Sequence, residues 1–109
     1  MTYFINRRLL IVAVLAVLGA PACASAEEAR VTIDNFAFTP QVLEVKAGTT
    51  VTFVNHDDIP HSVVAQNGAF HSKPLDTDQN FTFTADSPGE IAYFCGLHPH
   101  MKAKIVVVP

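Results

Sequence analysis

The chain has 109 residues, 50% of them hydrophobic and 16% charged, with a formal net charge of −3. That length suits one domain, the apolar share excludes a disordered chain, and two cysteines exclude a disulfide-dense mini-protein. The acidic balance argues against a nucleic-acid binder that works by neutralising phosphates. The first element in chain order is a leader over residues 1–26. Arg7 and Arg8 form a positive start, Leu9–Ala20 is a continuous apolar run, and Ala24-Ser25-Ala26 matches a small-x-small cleavage pattern. The run is shorter than the roughly 20 residues of a membrane-spanning helix. Pro21 opposes an uncleaved helical anchor, and Ala20-Pro21-Ala22 lacks the large aliphatic residue expected before a lipidated Cys23. The expectation is a cleaved secretory signal, no membrane span afterwards, and a single domain over residues 27–109. Cleavage removes two arginines but no acid, and leaves one cysteine, Cys95, and one methionine, Met101. An exported domain with a lone thiol needs something other than a disulfide to occupy the sulfur.

After residue 27 the recurring pattern is period-2 alternation, and no helical stripe is sustained. Val31 and Ile33 share one face of the first segment, and Leu43 and Val45 share one face of the next, which ends at the Ala47-Gly48 turn. Val51 and Phe53 alternate with threonines, and a short strand is expected over His61–Ala65. Residues 66–78, with Gly68 and Pro74, read as a loop. Phe81 and Phe83 alternate up to the Ser87-Pro88-Gly89 turn; Ile91, Tyr93 and Cys95 share a face; Ala103, Ile105 and Val107 close the chain. Six or seven short strands separated by Gly and Pro turns predict an all-β, antiparallel sandwich or barrel.

The segment Tyr93–Met101 (YFCGLHPHM) places a thiolate, an imidazole and a thioether at Cys-x2-His-x2-Met, between two predicted strands. A tight loop would bring Cys95, His98 and Met101 to one end of the sandwich. One further imidazole would complete a trigonal set of two histidines and a cysteine with a weak axial methionine. That set is diagnostic of a blue-copper electron-transfer site, since thiolate and thioether suit Cu(I) and imidazole serves both oxidation states. His61, His56 and His71 are the candidates for the second imidazole, with His61 following Pro60 at a predicted strand start.

The runs Val51–Val63 (VTFVNHDDIPHSV) and Tyr93–Val108 (YFCGLHPHMKAKIVVV) resemble the cupredoxin family over essentially all of residues 27–109. Among its members they are most similar to the amicyanins, whose ligand loop has the short Cys-x2-His-Pro-x-Met form. Plastocyanins and pseudoazurins carry a longer spacer before the methionine. The resemblance implies a Greek-key β-sandwich holding one type 1 copper ion on His61, Cys95 and His98, with Met101 axial. It implies that Asn55, six residues before His61, makes a hydrogen bond tying the two ligand loops together. It further implies a monomeric carrier in the periplasm, moving one electron from a dehydrogenase to a c-type cytochrome through the exposed edge of His98. Docking would use a small patch of Leu97, His98, Pro99 and His100. Two departures stand out. Gly96-Leu97 replaces the usual Thr-Pro, and His100 replaces a typical apolar aromatic.

His56, His71 and His100 read as surface residues, and Asp57, Asp58, Asp76 and Asp78 as solvated loop faces. A copper-delivery or storage protein could use the same four ligands. A copper oxidase or nitrite reductase would need a second copper centre, usually relayed by a histidine beside the ligand cysteine, and Cys95 is flanked by Phe94 and Gly96. Structural zinc would prefer four strong ligands and gain little from Met101. The sequence therefore points away from an enzyme.

Overall fold

The computed structural model describes residues 27–109. The leader and Cys23 readings fall on residues 1–26, outside the described residues. Among the described residues eight strands follow one another: β1 (Glu28–Asp34), β2 (Ala37–Thr39), β3 (Val42–Lys46), β4 (Thr49–Asn55), β5 (Val64–Ala65), β6 (Asn80–Ala85), β7 (Gly89–Phe94) and β8 (Lys102–Val108). They form two four-stranded sheets, ordered β2-β1-β4-β6 and β3-β8-β7-β5. Within a sheet, only the β1–β2 and β7–β8 connections join sequential strands; every other connection crosses between the sheets.

Alternation sets the inward face of each strand. Val31 and Ile33 of β1, Val51 and Phe53 of β4, and Ile105 and Val107 of β8 are buried, while their neighbours are more exposed. An aromatic cluster joins the sheets. Tyr93 of β7 meets Phe53 of β4 at 5.4 Å and Phe38 of β2 at 4.8 Å, both edge to face. Phe70, from the loop after β5, packs on Phe53 at 5.5 Å. Such pairs contribute about 0.5–1.5 kcal/mol each beyond the area they bury.

The sandwich is confirmed, but its strands are not all antiparallel. β1 runs parallel to β4, with Ile33 beside Asn55, and β3 runs parallel to β8. Alternation reports which face a residue occupies and says nothing of a neighbour's direction. The crossing connections make the parallel pairs possible. Two further differences lie in the middle of the chain. β2 was not expected, and the strand expected from His61 shrinks to Val64–Ala65. Residues 66–78 fold back along it, pairing Val64 with His71 and His61 with Leu75 as isolated bridges.

Candidate metal centre

Three connections meet at one end of the sandwich: the β1–β2 turn, the loop after β4, and the β7–β8 loop. The last is two consecutive tight turns. His98 N–H donates to the Cys95 carbonyl at 3.2 Å, and Met101 N–H donates to the His98 carbonyl at 2.9 Å. Pro99 takes the second position of the second turn, where its fixed φ is favoured. Cys95 N–H donates to the Met101 carbonyl at 3.1 Å, which continues the β7–β8 ladder and closes the loop. The three-residue spacing of Cys95, His98 and Met101 is thus the repeat of the turn itself.

His61, Cys95 and His98 are arranged to bind one metal ion, their ligand atoms lying within 4.8 Å of one another. Cys95 and His61 are fully buried, Met101 is buried, and His98 is half-buried. Cys95 Sγ lies 3.6 Å from His61 Nδ1 and 3.7 Å from His98 Nδ1. A first-row ion such as zinc binds thiolate at about 2.3 Å and imidazole at about 2.0–2.1 Å, so tetrahedral to trigonal angles separate sulfur and nitrogen by about 3.6–3.8 Å. The observed separations fit. His61 Nε2 lies 2.7 Å from Asp57 Oδ2. A proton donated there leaves the Nδ1 lone pair free to face the sulfur, the arrangement that orients a metal-binding imidazole.

Asp57 is far from a solvated face. Its carboxylate accepts from Asn35 N–H at 2.6 Å, from Phe36 N–H at 2.9 Å and from His61, and its side chain is only 12% exposed. Burial pushes its pKa up, but the hydrogen bonds from Phe36, Asn35 and His61 prevail and hold it below its ordinary value. The expectation for Asn55 also changes. Its Nδ2 donates to the Ile59 carbonyl at 2.9 Å and the Leu75 carbonyl at 2.8 Å, while its Oδ1 accepts from Asp57 N–H. Asn55 therefore braces the His61 loop against residue 75 rather than joining the two ligand loops.

Ser62 joins them. Its N–H points at Cys95 Sγ at 3.4 Å, and its hydroxyl accepts from Gly96 N–H at 2.9 Å. A Cβ at position 96 would stand 2.8 Å from that hydroxyl and 3.2 Å from Val64 Cγ2. The departure from Thr at this position has a steric reason: the Ser62 side chain fills the space.

Of the expected surface residues, Leu97 is 47% exposed and Pro99 and His100 are exposed. The His100 ring lies 6.4 Å from that of His98. His56 and His71 are not brought to the cluster: both are exposed, and His56 pairs with Asp78 at 3.3 Å. Sequence reasoning missed Phe36. Its ring is 46% exposed and meets His61 at 5.4 Å and His98 at 5.2 Å, edge on to both.

A cupredoxin-like domain family matches residues 7–107. The amicyanin of Paracoccus versutus is 38% identical over 74 residues, covering 63% of this chain and 55% of that protein. The chain thus spans little more than half of that curated relative. A solved structure of amicyanin from Paracoccus versutus superposes with a TM-score of 0.69 at 30% identity, covering 77% of this chain and 84% of the other. A copper-containing nitrite reductase from Thermus scotoductus superposes with a TM-score of 0.72 at 31% identity, over 85% of this chain but 25% of the enzyme.

Proposed function

This chain belongs to the cupredoxin family, whose cofactor is one type 1 copper ion, and from that membership we propose that it is a blue copper electron carrier. The observation carrying this reading is the buried sulfur of Cys95 flanked by two Nδ1 atoms at 3.6 and 3.7 Å. His61, Cys95 and His98 would be the strong ligands and Met101 a weaker fourth, a mixed sulfur and imidazole set suited to both oxidation states. When bound, copper supplies a one-electron couple between Cu(II) and Cu(I).

The chain's own part is to keep that donor set still. Asp57 fixes the His61 ring, Ser62 ties Cys95 and Gly96 to the neighbouring loop, and the two tight turns fix His98. Ligands that do not move between redox states impose little rearrangement on the electron's transfer. His98 lies nearest solvent among the three, between exposed Leu97 and Pro99, and offers its edge as the way in and out. Leu97, Pro99 and His100 form the rim that a partner would touch. A patch this small suits the brief contacts of redox encounters. Export to the periplasm, a monomeric state, a dehydrogenase as donor and a c-type cytochrome as acceptor complete the reading.

Rapid mixing of the reduced copper protein with an oxidised c-type cytochrome tests it. Electron exchange with the metal retained is the expected result. Slow exchange, with copper handed instead to a chelating partner, would identify a delivery or storage protein.

A further inference from the structure

The β1–β2 connection is a two-residue hairpin loop, since Asp34 pairs with Ala37 across it. Both loop residues have positive φ, 53° at Asn35 and 58° at Phe36. Such turns strongly favour glycine at the second position, and a bulky side chain there is a conformational outlier. Burial offsets only part of that cost, because Phe36 stays 46% exposed. Fold stability alone does not explain an aromatic residue at this position. The ring's contacts do: it stands edge on to His61 and His98, at interplanar angles of 89° and 79°. It also lines a cleft of about 180 Å³ with Phe38, Gln41, His100 and Met101. The turn is held over the site by the carboxylate that holds His61, with Oδ1 taking Asn35 N–H and Oδ2 shared by Phe36 N–H and His61 Nε2. The Thr77 hydroxyl donates to the Asp57 main-chain carbonyl at 2.7 Å and anchors that residue through its backbone.

We propose that Asp57 and Phe36 form a clamp and lid over the metal centre. Asp57 is a positioning residue that fixes the His61 ring and the β1–β2 turn together. Phe36 is the lid, an apolar ring packed nearly at right angles against both imidazoles that excludes water-soluble ligands from the donor set while leaving the outer edge of His98 and the rim of Leu97 and Pro99 free for a protein partner. The lid's action on copper rests on the function proposed above; the clamp does not.

The test compares wild type with Phe36→Gly, Phe36→Leu and Asp57→Ala. In the copper-loaded proteins, bicinchoninate, a water-soluble Cu(I) chelator, probes access. Phe36→Gly is expected to lose Cu(I) several-fold faster than wild type, with Phe36→Leu between them. Its metal-free form should melt no lower than wild type, because glycine accepts the positive φ. In the metal-free proteins, NMR hydrogen exchange reads the clamp. Asp57→Ala should lose the slowly exchanging His61 Nε2 proton and expose the Asn35 and Phe36 amides. Equal rates of copper loss in wild type and Phe36→Gly would overturn the lid. A protected His61 Nε2 proton in Asp57→Ala would overturn the clamp. A wild-type protein that shows no blue band with copper would instead count against the proposed function, and the metal-free measurement would still decide the clamp.

Discussion

The two imidazoles that face Cys95 are held by opposite means. His61 is fully buried, exchanges backbone hydrogen bonds with Leu75 in both directions, and has its far nitrogen 2.7 Å from a carboxylate. His98 is half-buried, sits at the junction of two tight turns, and has the Phe36 and His100 rings for neighbours. The first belongs to the protein interior and the second to the surface. A donor set built in this way has one wall that the fold keeps in place without metal and one edge open to solvent.

The largest expected effect separates the two directly. His61→Ala should destabilise the metal-free protein by about 2–4 kcal/mol, through a buried cavity and a carboxylate stripped of one partner. His98→Ala should cost about 0.5 kcal/mol, as surface changes usually do. Urea unfolding of both metal-free variants measures the difference, and equal losses would break the distinction. Next in size is the contact between loops. Gly96→Ala should cost about 1–3 kcal/mol by overpacking against Ser62, and less when Ser62→Ala has already made room. Additive losses in that double-mutant cycle would show that the Ser62 hydroxyl does not occupy the contested space. The smallest effect lies in the core beneath both histidines. Among the described residues the buried Tyr93 hydroxyl has no hydrogen-bond partner. Tyr93→Phe should therefore raise stability by about 1 kcal/mol and leave the gap between the His61 and His98 variants unchanged. A loss of stability would mean that the hydroxyl is satisfied in solution.

How much of this was legible in the sequence follows from the range over which each feature is determined. β1, β3, β4, β6, β7 and β8 each announce themselves by local alternation. β2 does not, being three residues long and preceded by Asn35-Phe36 where a glycine would have marked the turn. Strand direction was illegible for a different reason: the β1–β4 and β3–β8 pairings depend on how distant connections cross, which no single segment records. The sulfur half of the metal centre was plain, because its spacing is the step of a tight turn. His61 stood out from His56 and His71 only through its spacing from Asn55 in a family resemblance. Asp57 read as one acid among several in a loop, since its role arises from amides more than twenty residues earlier that fold over it. The family resemblance gives the tie between the loops to Asn55, but it belongs to Ser62, whose short side chain fits because residue 96 is glycine.

Cys95 is proposed to bind copper through its buried thiolate, between His61 and His98. Absorption and EPR spectra of the copper-loaded protein, recorded beside those of Cys95→Ser, test it most directly. An intense blue thiolate-to-copper band in the wild-type protein, absent from the serine variant, is the predicted result. A colourless, redox-silent Cu(II) complex of the wild-type protein would contradict it.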